Sequence, residues 1–65
     1  MPIVHVYLWE GRDEATIKQI IKNITKAFED VGIPPQAVDV IIHEIPKSRW
    51  GIAGELASEK SKNKI

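Results

Sequence analysis

Residues 13–32, DEATIKQIIKNITKAFEDVG, decide how this chain folds. Ile17, Ile20, Ile21, Ile24, Phe28 and Val31 recur at the spacing of one helical face, which predicts an amphipathic helix with a single apolar stripe. Lys18, Lys22, Lys26 and Glu29 fall off that stripe, toward water. Asp13 is placed to cap the N-terminus, and Glu14 suits the positive end of the first turn. Gly32 stands where a helix closes, and Pro34 and Pro35 forbid its continuation.

Strands flank the helix on both sides. Ile3 to Trp9 is rich in Ile, Val, Tyr and Trp, with Val4, Val6 and Leu8 on one face and Ile3, His5, Tyr7 and Trp9 on the other. From about Val38 to Ile45 a second strand sets Val38, Val40 and Ile42 against Asp39, Ile41 and His43. A strand, a helix of several turns and a strand make a crossover unit, which favours parallel strands joined right-handedly. Beyond Pro46, the run Trp50, Gly51, Ile52, Ala53, Gly54 reads as a tight turn or short hairpin. The expected class is α+β: one β-α-β unit with parallel strands plus a short C-terminal hairpin, in a single domain over 1–65. From about Ser58 the chain is polar and Lys-rich, and is expected to be a frayed tail as far as Ile65.

A lone helix covers one sheet face. The other keeps Ile3, Tyr7 and Ile41, so another copy of the chain is expected to cover it. Size points the same way: a chain of 65 residues buries only about 60% of its unfolded surface and is marginal alone. Cysteine is absent, which excludes disulfides and thiolate metal sites. Nine Lys plus Arg balance nine Asp plus Glu, so no general attraction to nucleic acid arises. No apolar run approaches a membrane span, and the N-terminus lacks the basic start and apolar core of a signal peptide. A cytoplasmic protein without membrane or nucleic-acid partners is expected.

Few residues here carry chemistry. If Met1 is removed, Pro2 exposes a secondary amine, a base suited to proton transfer near neutral pH. Arg12 closes the first strand at the end where crossover units place ligands, and its planar fork suits a carboxylate. Trp9 and Trp50 would make an apolar wall beside that anion hook. His5 and His43 share a face, but a zinc site would need a third ligand from another chain or a carboxylate. No metal or cofactor is expected.

The stretches PIVHVYLWEGR (2–12), VDVIIHEIPK (38–47) and WGIAGE (50–55), in that order around the helix, resemble the 4-oxalocrotonate tautomerase (2-hydroxymuconate tautomerase) family. The resemblance implies a fold completed by oligomerisation, most often a hexamer built from dimers. It implies a cofactor-independent isomerase of aromatic-compound breakdown, acting on a small carboxylic acid. Pro2, freed of Met1, would be the general base and then acid, moving a proton from the 2-hydroxyl of a dienol acid to a distant carbon. Arg12 would hold the distal carboxylate. Trp50 stands where the best-known members have phenylalanine, and Trp9 where they have leucine. One departure is chemical: Asp39 occupies the place of a second substrate-binding arginine, and a carboxylate there repels a substrate anion. Lys47 or Arg49 is expected to supply the missing cation, or the substrate bears one carboxylate. The alternatives are a non-catalytic small-acid-binding or assembly protein on the same scaffold, and a related dehalogenase or decarboxylase.

Overall fold

A computed structural model describes residues 1–62, with side chains as far as Lys60. β1 (Ile3–Trp9) and β2 (Asp39–Ile45) run parallel, in a register that pairs Ile3 with Asp39, Tyr7 with His43 and Trp9 with Ile45. Helix α1 (Glu14–Glu29) connects them. The architecture is the expected β-α-β unit with a C-terminal hairpin.

Local signals set the ends of α1. Asp13 is extended, and its Oδ1 accepts the Thr16 N–H at 3.0 Å. That satisfies one of the donors a first turn leaves unpaired. Thr16, through its hydroxyl first and its backbone N–H second, holds the Asp13 carboxyl below its ordinary value. At the other end the Ile33 N–H donates to the Phe28 carbonyl at 3.1 Å and the Gly32 N–H to the Glu29 carbonyl at 2.9 Å. This is the Schellman hydrogen-bond pair, and it needs the left-handed φ of +96° that Gly32 adopts.

Ile17, Ile20, Ile21, Ile24 and Phe28 are half-buried on the sheet side of α1. Val31 departs from the expected stripe: it lies in the closing turn, past the last helical residue, and is 74% exposed. A 3₁₀ turn at Pro35–Ala37 leads into β2.

After β2, a second 3₁₀ turn (Lys47–Arg49) precedes the antiparallel hairpin β3 (Gly51–Ile52) and β4 (Glu55–Leu56). Ala53 and Gly54 both take positive φ, 53° and 82°, as a two-residue primed hairpin turn demands. The stretch expected to fray from Ser58 instead continues a helix, α2 (Ala57–Lys62), anchored where the Ala57 N–H donates to the Trp50 carbonyl at 2.7 Å. The last part of that expected tail, 63–65, lies outside the described residues. Among the described residues, no helix is long and apolar enough to cross a membrane.

Burial is thin. Among the described residues Ala57 is the one fully buried hydrophobic residue, whereas Ile3, Tyr7 and Ile41 on the sheet face away from α1 are 55%, 60% and 41% exposed. The radius of gyration is 15.0 Å, against about 11 Å for a compact domain of this length. The single chain is an elongated unit with one covered sheet face and one open face.

Candidate active site

The C-terminal ends of β1 and β2 gather most of the chemistry. In register with Ile45, Trp9 ends β1, and the next N–H, of Glu10, still donates to the Ile45 carbonyl at 3.0 Å. Gly11 then turns the chain at φ +114°. A Cβ there would meet nothing within 4 Å, so glycine is needed for its backbone conformation rather than for space. The turn brings Arg12 back, and its Nη1 donates to the Trp9 carbonyl at 3.0 Å.

From the other side, the Lys47–Arg49 turn folds over the same residue. Lys47 Nζ stands 4.7 Å from the centre of the Trp9 ring, a cation–π distance. Trp50 meets Trp9 edge-on, with ring centres 5.9 Å apart and planes at 78°. Arg49 is exposed, and its Nη1 donates to the Ser48 carbonyl at 2.9 Å. Trp9 Nε1 is buried without an acceptor among the described residues.

Among the described residues the ion pairs are Lys26–Asp30 and Lys60–Glu55, and neither involves Arg12, Lys47 or Arg49. Three cations without a carboxylate partner, beside two indoles, form a surface that favours an anion carrying an apolar body.

Pro2 and Asp39 lie at the opposite end of the sheet. The Pro2 carbonyl accepts the Asp39 N–H at 3.0 Å, extending the ladder one step before β1. Pro2 is half-buried and Asp39 exposed. The intervening strand is seven residues long, about 23 Å at the ~3.3 Å rise of a parallel strand. The single chain therefore groups Trp9, Arg12, Lys47, Arg49 and Trp50 but keeps Pro2 and Asp39 apart from them. No enclosed pocket forms among the described residues.

The open face between the two ends carries an aromatic ladder. Tyr7 and His43 stack with centres 4.4 Å apart, and His43 and His5 at 5.1 Å. His5 Nδ1 and His43 Nε2 are 2.9 Å apart, one donating and the other accepting. Among the described residues no three His, Cys, Asp or Glu side chains converge as a metal site would require.

From sequence, either Lys47 or Arg49 is expected to supply a missing cation, with Arg49 the one placed among the substrate-binding residues. The structure separates them, since only Lys47 lies over Trp9. Strand register carried the signal: Lys47 follows Ile45 by two residues, and Ile45 is the partner of Trp9.

A family model described as Tautomerase enzyme matches residues 2–60. The chain is 47% identical over 60 residues to a 2-hydroxymuconate tautomerase of Comamonas testosteroni, covering 91% of this chain and 95% of that protein. It is 45% identical to a 2-hydroxymuconate tautomerase of Pseudomonas putida, with the same coverage. Among solved structures, a 4-oxalocrotonate tautomerase isozyme of Methylibium petroleiphilum superposes with a TM-score of 0.81 at 43% identity, over 88% of this chain and 94% of that one. A 4-oxalocrotonate tautomerase homologue of the tomaymycin biosynthetic pathway superposes with a TM-score of 0.89 at 33% identity, over 95% and 97%.

Proposed function

The chain belongs to the tautomerase family, and on that premise we propose that it moves a proton between oxygen and carbon of a 2-hydroxydienoate or related 2-oxo acid, with Pro2 as base and then acid. The observation that carries this reading is the position of Pro2. It stands immediately before β1 and takes part in the ladder only through its carbonyl, so removal of Met1 would free its nitrogen without loss of a sheet hydrogen bond. A secondary amine accepts a proton, whereas the amide nitrogen of a Met1–Pro2 bond has its lone pair delocalised into the carbonyl.

The separation of Pro2 from Arg12 makes self-association part of the mechanism. A two-fold axis that pairs the free edges of two β1 strands antiparallel brings Pro2 of one protomer to the Trp9–Arg12 end of its partner. In that arrangement Arg12 grips a substrate carboxylate, and Trp9 and Trp50 keep water from the reacting carbons. Arg12 and the indole wall both disfavour the protonated amine, lowering its affinity for a proton toward neutral pH. The base takes the 2-hydroxyl proton and returns it to the distant carbon of the same substrate, so no cofactor is needed. The expected assembly is a homo-hexamer.

The test compares the protein beginning at Pro2 with a form that retains Met1, each verified by intact mass. Ketonisation of 2-hydroxymuconate is followed by ultraviolet absorbance. Capping is expected to lower kcat/KM on the order of a hundredfold or more, the contribution of a general base. Pro2→Ala is expected to cost less, because a primary amine remains. Equal activity of the capped and uncapped forms would show that Pro2 only starts a strand and is not the base, whereas no activity in either form would leave the small-acid-binding reading.

A further inference from the structure

We propose that Lys47 determines specificity for dicarboxylates, its ammonium receiving the second anionic group of a substrate whose first carboxylate is gripped by Arg12. The inference rests on the reading of the Trp9–Arg12 end as the substrate site. One residue positions both cations: the Trp9 carbonyl holds Arg12 at 3.0 Å, and the Trp9 ring carries Lys47 Nζ at 4.7 Å. Lys47 is half-buried, its stem laid along apolar surface. A lysine free to choose would extend its ammonium into water, so this placement fixes a charge on the ring of the residue whose carbonyl holds Arg12. Neither cation takes part in an ion pair among the described residues, so each is open to an anionic group of a ligand.

The two cations differ in geometry. Arg12 has a planar fork for a bidentate carboxylate, whereas Lys47 is a point charge with three N–H donors and no fixed plane. Stacking on the indole uses the ammonium's charge but none of those donors in a conventional hydrogen bond. Lys47 therefore suits the less constrained end of the ligand, a carboxylate alone or a carboxylate together with a 2-oxygen. Its neighbour Arg49 is turned to the Ser48 carbonyl within its own turn. Asp39, beside Pro2, is an acceptor only and offers an anion nothing. The second negative charge must be met from the end that holds Lys47.

The test uses two six-carbon dienes that cannot tautomerise, trans,trans-muconate with two carboxylates and sorbate with one. Binding to the protein beginning at Pro2 is read from tryptophan fluorescence, with light scattering to show that assembly persists. The wild-type protein is expected to bind muconate about tenfold more tightly than sorbate, the yield of one charge-assisted contact at a part-exposed site. Lys47→Met, which keeps an apolar stem on the indole, should abolish that preference and leave sorbate affinity within about threefold. Lys47→Gln should do the same, and Lys47→Arg should preserve the preference. A wild-type protein that binds the two acids equally overturns the proposal, as does a preference that survives in both Lys47→Met and Lys47→Gln. Because neither probe reacts, a protein without tautomerase activity that still prefers muconate would overturn the catalytic reading of Pro2 and leave Lys47 in its assigned role.

Discussion

Arg12 commits one of its five N–H donors to the Trp9 carbonyl and keeps the rest of its fork for a ligand. Arg12→Ala is expected to lower kcat/KM about ten- to a hundredfold, the range of a charge-assisted contact, while light scattering shows an unchanged assembly. An unaltered kcat/KM would remove Arg12 from the site. Asp13, one residue on, has a different task. Its carboxylate caps α1, and Thr16 holds its pKa below the usual carboxylate range. A depressed folded pKa means that the cap's contribution is complete above the unfolded value, about 3.9, and is lost as pH falls through the lower folded value. The thermal midpoint of Asp13→Ala should therefore lie below wild type by a constant margin above about pH 5, narrowing in stronger acid. A margin independent of pH down to full protonation would mean that the carboxylate charge contributes nothing to the cap.

At the scale of elements, α1 was legible because each of its signals is local. The cap, the apolar period and the closing glycine act within a few residues of one another, and tertiary packing has only to agree with them. Gly32 is the sharpest of these signals. With φ at +96°, a Cβ is disfavoured whatever the free space around it, so Gly32→Ala should destabilise the protein by about 1 kcal/mol. The readout is the denaturant midpoint at fixed protein concentration, and an unchanged midpoint would mean that the turn abandons its left-handed residue. The C-terminal segment was less legible. The sequence ASEKSK looks like a solvated tail, yet it forms α2, because Ala57 buries itself completely and hydrogen-bonds to Trp50. That anchor comes from the hairpin folding back, which no window of local sequence contains.

For the whole molecule, the open sheet face is the dominant energetic fact. Ile3, Tyr7 and Ile41 would each bury substantial apolar area against a second copy, at about 25 cal/mol per Å² removed from water. The chain's radius of gyration, 15.0 Å, is that of an extended unit rather than a compact one. Stability is thus expected to rise with protein concentration, as it does whenever association is linked to folding. Ile41→Asp, at the centre of the face, should shift the mass by light scattering toward smaller species and lower the thermal midpoint. A wild-type monomer at micromolar concentration with native circular dichroism would overturn self-association, and with it a site assembled from Pro2 of one protomer and Arg12 of another.

Sequence alone determined the order of elements from β1 through the hairpin, the faces of β1 and the start of α1, because side-chain alternation, helical period and glycine or proline punctuation are properties of adjacent residues. It also singled out Pro2, Arg12, Trp9 and Trp50 by residue type and place. Only the tertiary structure decided how they group. Parallel pairing sets Pro2 beside Asp39 at one end of the sheet and Trp9 beside Ile45 at the other, and the fold-back after β2 chooses Lys47 over Arg49 to cover Trp9. The physical reason is that a strand carries two residues apart by its length, whereas proximity between ends of different strands depends on register and on the turn that follows. Neither is written in any single stretch of the chain.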